Sequence, residues 1–279
     1  MICGEELRTM SNNKEANIRY HTAMADTYDK DQPHFSRENT ERVEVILEGY
    51  AQKHGNSTLL DVGCGTGYIL RIARKVFTNV VGVDITPAML EKARAIGGVT
   101  VHEACSDSIP FPSSSFGVIT AYGFLHHLSN LLPTLREIYR CLRAGGVFYA
   151  DQDPNYYCWQ ALKFLSSYDH SCRVSGVLQN EIESIRDVAN TLNERYGLDE
   201  QTVRDAEYHK YHEASLREDN LRYLLDLAGF KNVKVHYHWY LGQGKQADKA
   251  LTAKIHEELL ALLPLSRPLF KYISLEAIK

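Results

Sequence analysis

Short apolar runs and segments of helical periodicity alternate along residues 39–151. The region opens with a predicted helix, Asn39–His54, whose apolar residues fall on one face. Segments of strand length follow at Thr58–Val62, Val80–Val83, Thr100–Glu103, Gly117–Tyr122 and Val147–Asp151, and all except the short Thr100–Glu103 are mainly apolar. Helical segments separate them at Tyr68–Val76, Pro87–Ile96 and Leu132–Leu142. Because strands that alternate with helices form parallel sheets, this alternation predicts a doubly wound α/β fold.

The segments before and after residues 39–151 are predicted to cover the sheet. Residues 1–15 are polar and are expected to be loosely ordered, and a short helix is predicted from Ile18 to Tyr28. Residues 152–214 begin with several aromatic side chains and continue with a polar helical stretch, Asn180–Tyr196. We therefore expect an N-terminal helical cap (1–38) and a helical insertion or lid (152–214). The core is expected to comprise residues 39–151 and 215–279.

The last part of the chain is predicted to return to the sheet. A helix, Ser215–Leu227, ends near Gly229, which suits a left-handed helix cap, and a strand, Val233–Trp239, follows. A helical segment through Leu262 comes next. The strand Leu269–Ile278 is then expected to pair as a hairpin with Val233–Trp239. The predicted fold is a mostly parallel, seven-stranded sheet with a terminal antiparallel hairpin strand.

Glycine occupies every second position in the loop after the first strand. Gly63, Gly65 and Gly67 follow Asp61, and a predicted helix begins at Tyr68. Glycine lets the backbone approach a ligand closely, and the free N–H groups at a helix start attract polar or anionic groups. A dinucleotide fingerprint would place its third glycine one residue later, so the spacing argues against a nicotinamide oxidoreductase.

A carboxylate stands at the end of the second predicted strand. Asp84 follows Gly82 and Val83 at this point, behind the glycine loop. A carboxylate in this position can accept hydrogen bonds from both hydroxyls of a ribose. The same side chain can also cap the helix that is predicted to start near Pro87. The agreement of strand, spacing and glycine loop favours the ribose interpretation.

The segment Leu59–Gly67 resembles the first motif of the class I, Rossmann-like methyltransferases, whose glycine loop holds the methionine part of S-adenosylmethionine. The resemblance covers roughly residues 40–151 and 215–279. It is strongest to the subgroup with the ubiquinone and menaquinone C-methyltransferases and many natural-product methyltransferases. It implies S-adenosylmethionine as cofactor and S-adenosylhomocysteine as product. The cofactor-binding residues that it implies are Asp61, Gly63, Gly65, Gly67, Asp84, Ile85, Met89 and Tyr122.

The third motif departs from the pattern of this family at two positions. Similar sequences carry an acidic residue four positions before Ile-Pro-Phe, which contacts the adenine amino group, but this chain has Cys105 there. They also carry aspartate where this chain has Gly117. Ser106 or Asp107 is then the candidate for the adenine contact. Asp107 is equally well explained as a solvated loop acid.

Two adjacent histidines follow the fourth strand, at the sheet edge where ligands bind in open α/β folds. The segment resembles the Leu-His-His-Leu segment of the same subgroup. His126 or His127 is positioned to take a proton from an acceptor, and we expect one to be catalytic and the other structural. The alternative is that one histidine packs under the loop and the other is solvated. Tyr122 and Gly123 are expected to line the methionine end of the cofactor.

The resemblance implies an acceptor pocket that the cap and the insertion close. Tyr28 is a candidate for contact with the sulfonium or the substrate, although it equally fits a role in fixing its helix to the core. The abundant aromatic residues favour a flat or apolar acceptor, such as a quinone, phenol or polyketide. The residues predicted to build this pocket are Tyr28, Tyr122, His126, His127, Asp151 and Tyr156.

Composition narrows the class of protein. The 279 residues carry a net charge of −4 with Lys and Arg scattered, which argues against an RNA-modifying methyltransferase and for a small-molecule substrate. No leader or membrane-spanning run is visible, so a cytoplasmic monomer or homodimer is expected. A third possibility is a non-catalytic cofactor-binding or assembly protein, which only the departures at Cys105 and Gly117 support.

Metal and disulfide chemistry are not expected. The six cysteines include no Cys-x-x-Cys pair and follow no zinc or disulfide-framework spacing, so free thiols are predicted. His236 and His238 share one face of a predicted strand, but no third ligand is suitably spaced. The sequence therefore predicts no metal site.

Overall fold

A computed structural model describes residues 4–167, 176–186, 188–212, 216–246 and 248–279. One sheet of seven strands lies at the centre of the fold, in the order β3-β2-β1-β4-β5-β7-β6. Its strands are β1 (Thr58–Val62), β2 (Asn79–Asp84), β3 (Thr100–Glu103), β4 (Phe116–Tyr122), β5 (Leu142–Pro154), β6 (Lys231–Tyr240) and β7 (Phe270–Ile278).

The pairing of the strands confirms the predicted fold class. Strands β1 to β5 are parallel, with Leu60 opposite both Val81 and Ile119. Strand β7 is inserted antiparallel between β5 and β6, with Leu275 opposite Ala150 and Val235. The strand order reverses between β1 and β4, and open sheets bind ligands beyond the carboxyl ends of the strands at such a point.

Helices cover both faces of the sheet and extend past its carboxyl edge. Those of the first half are α1 (Gly4–Met24), α2 (Tyr28–Asp31), α3 (Arg37–His54), α4 (Tyr68–Ala73), α5 (Pro87–Arg94) and α6 (Leu131–Cys141). Those of the second half are α7 (Tyr156–Ser166), α8 (Gly176–Arg186), α9 (Val188–Tyr196), α10 (Glu200–Ala206), α11 (Tyr208–Tyr211), α12 (Glu218–Ala228) and α13 (Lys249–Ala261).

Successive residues of the central strands supply two separate cores. Leu60, Ile119 and Phe148 pack on one face of the sheet, and Leu59 and Val118 pack on the other. This alternation follows from the two-residue period of a strand, and all five side chains are fully buried. Burying each of them contributes about 1.5–3 kcal/mol, so the core keeps the strand ends that surround the site in a fixed arrangement.

The N-terminal segment differs from the prediction. Helix α1 begins at Gly4 instead of Ile18, so the expectation that residues 1–15 are loosely ordered is wrong for residues 4–15. Tyr20 and Met24 of α1 are buried against Val203 of α10, in a small core of their own. The helix is stabilised by this contact with the insertion, which no local pattern in its polar sequence indicates.

The insertion is helical where the structure describes it, from α7 to α11. The predicted helix Asn180–Tyr196 corresponds to the two helices α8 and α9, and residue 187 between them lies outside the described residues. The next predicted helix starts at Glu218, and its expected first residue, Ser215, also lies outside the described residues. None of the helices in the described part of the chain combines the length and hydrophobicity of a membrane span.

Candidate active site

The glycine turn after β1 is shaped by backbone hydrogen bonds to β2. The N–H groups of Gly63 and Cys64 donate to the Val83 carbonyl at 2.8 and 3.0 Å. Gly63 and Gly65 have φ of +70° and +51°, in the region that side-chain-bearing residues rarely adopt. A Cβ on Gly65 would meet no protein atom within 4 Å, so the turn faces open space. The space beside this turn is where a ligand fits.

Asp84 is held beside the same turn by two backbone donors. Its Oδ2 accepts a hydrogen bond from the Gly65 N–H at 2.9 Å, and its Oδ1 accepts one from the Thr86 N–H at 2.8 Å. Thr86 is itself the N-cap of α5, so the carboxylate bonds the residue before the helix and caps no N–H within it, and it lines the cleft. Each oxygen keeps a further lone pair, which is what a ribose with two hydroxyls needs.

The glycine turn and Asp84 border a cleft of about 870 Å³, part of it open to solvent. Tyr28, which was predicted to contact the sulfonium or the substrate, also lines it. The predicted cofactor residues that the structure brings together in this cleft are Gly63, Gly65, Asp84, Ile85, Ser106, Asp107 and Tyr122.

Three residues predicted to bind cofactor lie behind the cleft instead of lining it. Met89 is buried within α5, and a Cβ on Gly67 would lie 2.3 Å from a side-chain atom of Ile96, so this glycine allows the helices to pack. Asp61 borders a smaller cavity on the other side of the glycine turn. Burial raises the pKa of Asp61 to about 8, although the hydroxyl of Thr120 donates a hydrogen bond to it at 2.7 Å.

The far end of the cleft holds both candidates for the adenine contact. The Ser106 hydroxyl shares a hydrogen bond of 2.8 Å with that of Thr134. Asp107 forms an ion pair of 2.7 Å with Lys14, so it is not simply a solvated loop acid. Which side chain contacts an adenine amino group stays a prediction.

The departures at Cys105 and Gly117 have different surroundings. Cys105 lines the cleft itself. A Cβ on Gly117 would lie 2.2 Å from a guanidinium nitrogen of Arg143 and 3.1 Å from the His54 carbonyl oxygen, so close packing favours glycine there. The Gly117 departure therefore has a structural reason that does not require loss of activity.

One wall of the cleft comes from α1 and was not anticipated from the sequence. Asn13, Asn17 and His21 line the cleft, and they are spaced by four residues, so they lie on one helix face. Asn13 Nδ2 donates to the carbonyl of His127 at 2.8 Å and to that of Asp205 at 2.6 Å. The spacing of these three polar residues by four is the sequence pattern from which this wall could have been predicted.

A second chamber of about 1400 Å³, also partly open, adjoins the cleft on the side of the insertion. Four residues line both cavities, and we call them the window: His21, Tyr28, Gly123 and His127. Apart from His126, the other lining residues of this chamber were not predicted. They include Tyr20, Gln152, Trp159, Glu207, Lys210, Lys271 and Tyr272.

The two adjacent histidines have different environments. His127 Nδ1 lies 2.8 Å from the carbonyl oxygen of Ala206, which can only accept, so Nδ1 carries the proton and Nε2 keeps its lone pair. Burial lowers the pKa of His127 well below its usual value, and the neighbouring His126 lowers it further. His126 has Asp153 2.9 Å from Nδ1 and Glu207 3.5 Å from Nε2.

Asp151 does not line either cavity, in contrast to its predicted place in the acceptor pocket. It is fully buried, with Arg42 Nη2 2.7 Å and His238 Nε2 2.8 Å from its carboxylate, and it accepts a hydrogen bond from Tyr149. Although burial alone would raise the pKa of Asp151, His238 and Arg42 hold it well below its ordinary value. Its role in the structure is to connect packed elements.

Tyr156 also lies outside the lining of both cavities. Its ring packs against that of Tyr157, with centroids 5.4 Å apart, and against the guanidinium of Arg217 at 5.8 Å. Trp159, one turn further along α7, lines the second chamber instead.

Among the residues that the structure describes, His126, His127 and Glu207 are close enough together to hold a metal ion. The ammonium of Lys210 lies 2.5 Å from Glu207 Oε2 and supplies a positive charge at that carboxylate. A metal ion would have to displace Lys210 and compete with its charge. The four described free cysteines, Cys64, Cys105, Cys141 and Cys158, form no disulfide.

Comparison with known proteins identifies related chains. Residues 60–150 match a protein-family model described as "Methyltransferase domain". An uncharacterized methyltransferase, YcgJ, from Bacillus subtilis (strain 168) is 30% identical over 115 residues, which are 37% of this chain and 46% of that protein. A chloroplastic 2-methyl-6-phytyl-1,4-hydroquinone methyltransferase from Oryza sativa subsp. japonica is 38% identical over 94 residues, which are 32% of this chain and 27% of that protein.

A solved structure resembles most of the chain. The crystal structure of a SAM-dependent methyltransferase from Archaeoglobus fulgidus superposes with a TM-score of 0.54 at 18% identity, covering 86% of this chain and 94% of that one. This similarity shows the fold. The chain spans less than half the length of the two curated relatives.

Proposed function

We propose that this chain transfers the methyl group of S-adenosylmethionine to a small-molecule acceptor, because residues 60–150 match a methyltransferase-domain family model. The observation that carries the proposal is the window between the two cavities. A donor held at the glycine turn and Asp84 faces, through His21, Tyr28, Gly123 and His127, whatever occupies the second chamber.

The residues of the cleft fit S-adenosylmethionine. The open space in front of Gly65 admits the ligand backbone, and Asp84 offers two oriented oxygens to the ribose. Ile85 and Asp107 lie at the end that suits the adenine. When bound, the cofactor supplies an electrophilic methyl group. The protein then has to align the acceptor with that methyl group and exclude water, which is how positioning accelerates a displacement.

His127 is the residue best placed to remove a proton from the acceptor. It lies at the window, and its Nε2 lone pair is free because Nδ1 donates to the Ala206 carbonyl. We assign His126 a structural and electrostatic role, because Asp153 and Glu207 engage both of its ring nitrogens. A proton acceptor contributes about 10²–10⁴ in rate when the nucleophile must be deprotonated.

The second chamber suits an acceptor with one flat or apolar part and one polar part. Pro154, Leu162 and Trp159 give it an apolar wall, and Glu207 and Lys210 give it a charged one. A hydroquinone, which the name of the rice relative describes as its acceptor, is a molecule of this kind. We propose a protic acceptor of this shape, handled by a cytoplasmic monomer or homodimer.

Isothermal titration calorimetry with S-adenosylhomocysteine and NADH tests the proposed cofactor. We expect micromolar or tighter binding of S-adenosylhomocysteine and no binding of NADH. Asp84→Ala should weaken binding by about 1–3 kcal/mol, the usual cost of losing charged hydrogen bonds. The control is Asp226→Ala, which removes an exposed carboxylate paired with Lys231. Unchanged affinity in Asp84→Ala would contradict the assignment.

The rival functions require separate measurements. An electrophoretic mobility shift with tRNA at fixed salt tests an RNA-modifying role, for which specific binding would be the supporting result. Release of S-adenosylhomocysteine in the presence of a panel of phenols and hydroquinones tests catalysis. Tight cofactor binding without turnover on any acceptor would favour a non-catalytic binding protein.

A further inference from the structure

Three side chains that line the second chamber, His126, Glu207 and Lys210, form a network with the buried carboxylate of Asp153. Asp153 comes from β5, His126 from the turn after β4, and Glu207 and Lys210 from the junction of α10 and α11. The side chains of His126, Asp153 and Glu207 are each at most 8% exposed. Charges this deeply buried are stable only when they are paired, so their arrangement is specific.

The four groups form a continuous chain of contacts. Asp153 Oδ1 lies 2.9 Å from His126 Nδ1 and also accepts the backbone N–H of His126 at 3.0 Å. On the other side of the ring, His126 Nε2 lies 3.5 Å from Glu207 Oε2. Lys210 Nζ lies 2.5 Å from the same oxygen, and the hydroxyl of Tyr20 donates to Glu207 Oε1 at 3.0 Å.

The charges of this network balance when His126 is an imidazolium. Two carboxylates, Asp153 and Glu207, then face one imidazolium and the ammonium of Lys210. Burial alone would lower the pKa of His126, but its contacts with Asp153 and Glu207 raise the pKa above its ordinary value. Burial would raise the pKa of Glu207, but Lys210 and His126 hold it well below its usual range.

His127 lies directly beside this network and differs from it in charge. The ring centroids of His126 and His127 are 4.0 Å apart. A fixed positive charge at that distance disfavours a second one, so it favours a neutral His127 in the resting protein. The Ala206 carbonyl at the end of α10 accepts the hydrogen bond of His127 Nδ1 and so orients the ring.

We propose that Asp153, His126, Glu207 and Lys210 are positioning residues that keep His127 neutral and its Nε2 lone pair directed at a protic acceptor in the second chamber. The inference rests on the proposed function and adds the acceptor class, a hydroxyl, amine or carbon acid. The acceptor X–H bond breaks as its electron pair forms the bond to the methyl group. The proton goes to His127 Nε2, and the electron pair of the broken S–CH₃ bond stays on sulfur.

The other groups that face His127 come from the N-terminal cap. His21 lies 4.8 Å away, ring centroid to centroid, and Tyr20 lies 6.5 Å away. Burial and the charge of Glu207 raise the pKa of both Tyr20 and Tyr28, so these phenols stay neutral. Burial lowers the pKa of His21. Glu207 is therefore the nearest charge that favours a proton on His127 once the acceptor has released it.

Side-chain ¹⁵N NMR of the histidines in the full chain, saturated with S-adenosylhomocysteine, tests the proposal without an acceptor. At pH 7 we expect both ring nitrogens of His126 to be protonated and His127 to be the neutral Nδ1–H tautomer. Glu207→Gln should lower the titration midpoint of His126 by about one pH unit or more. Lys210→Met should raise it, because it removes a neighbouring cation. The control is Glu181→Gln, a carboxylate in the same chamber that pairs with Lys271.

The two opposite shifts make the test specific. A neutral His126 in the wild type would overturn the proposal, and so would equal shifts in Glu207→Gln and Glu181→Gln. If Glu207→Gln does not fold, Lys210→Met alone decides the sign. Addition of Co²⁺ provides a further test, since a visible absorption band that His127→Gln abolishes would show that the cluster binds a metal. Intact S-adenosylhomocysteine binding separates failure of this network from failure of the proposed function.

Discussion

Gly65 is the residue at which cofactor binding and backbone conformation are most closely linked. Gly65→Val should abolish detectable binding of S-adenosylhomocysteine, because its side chain would fill the open space beside the turn. The branched residue is also strained at φ +51°. Calorimetry and a thermal melt separate the two effects. The control is Gly97→Val, since Gly97 has φ +70° and equally open space but lies outside the cleft. Loss of binding in both variants would point to a general folding effect instead.

Asp61 should couple cofactor binding to the release of a proton. Its pKa of about 8 leaves the buried carboxyl largely protonated at pH 7. A cofactor ammonium in the adjoining cavity would favour the carboxylate, so binding should release up to about one proton near pH 7 and tighten as the pH rises towards 8. Calorimetry in buffers of different ionisation enthalpy measures this release. Asp61→Asn should eliminate it, and a wild type without proton release would refute the coupling.

The residues of the glycine turn could be predicted from the sequence. The sequence could not distinguish residues that line the cofactor cleft from residues that pack behind it. Spacing places Gly63, Gly65 and Gly67 in one loop, yet only tertiary packing shows that Gly67 faces Ile96 in the turn after α5. Asp151 was misplaced for a similar reason. Strand position predicts that it lies near the carboxyl edge, but its partners Arg42 and His238 come from distant segments.

Strands and helices of the sheet were predictable because their patterns are local. Strands β1, β2 and β4 each correspond to an apolar run with a turn residue nearby, and β7 was expected beside β6. Helix α1 was largely missed because its stability depends on remote partners. Ala16, Tyr20 and Met24 are spaced by four, but the surface that buries them belongs to the insertion. No local sequence pattern marks Glu207 and Lys210 as site residues either, since only the fold brings them to His126.

Asn13 connects α1 to two other segments of the site. Asn13→Ala would remove the amide that donates to the Asp205 carbonyl and, together with Asn17, to the His127 carbonyl, which costs about 1–3 kcal/mol. We expect a lower urea midpoint and faster amide exchange in α1. The control is Asn12→Ala, because Asn12 is exposed on the same helix. Equal stability of the two variants would show that the contact is not important for the position of the cap.

The whole molecule is joined across its layers by the buried carboxylate of Asp151. Arg42 comes from α3 on one face, Tyr149 from β5, and His238 from β6 beyond the antiparallel strand. Arg42 also reaches the hydroxyl of Tyr122 at 3.4 Å, and Tyr122 lines the cofactor cleft. The carboxylate of Asp151 therefore connects α3, strands of both parts of the core and, through Arg42 and Tyr122, the cofactor cleft.

Asp151 should make global stability depend on acid pH. Because its folded-state pKa is depressed, its contribution to stability is fully present above the unfolded value near 3.9 and is lost as the pH falls below it. Asp151→Asn should cost about 3–5 kcal/mol at pH 7, since it leaves Arg42 and His238 partly buried without their anion. The difference from wild type should shrink steadily as the pH is lowered from 5 towards 2. Urea unfolding at each pH measures it, with Asp226→Asn as the exposed control. A difference that stays constant with pH would mean that shape, and not charge, holds these elements together.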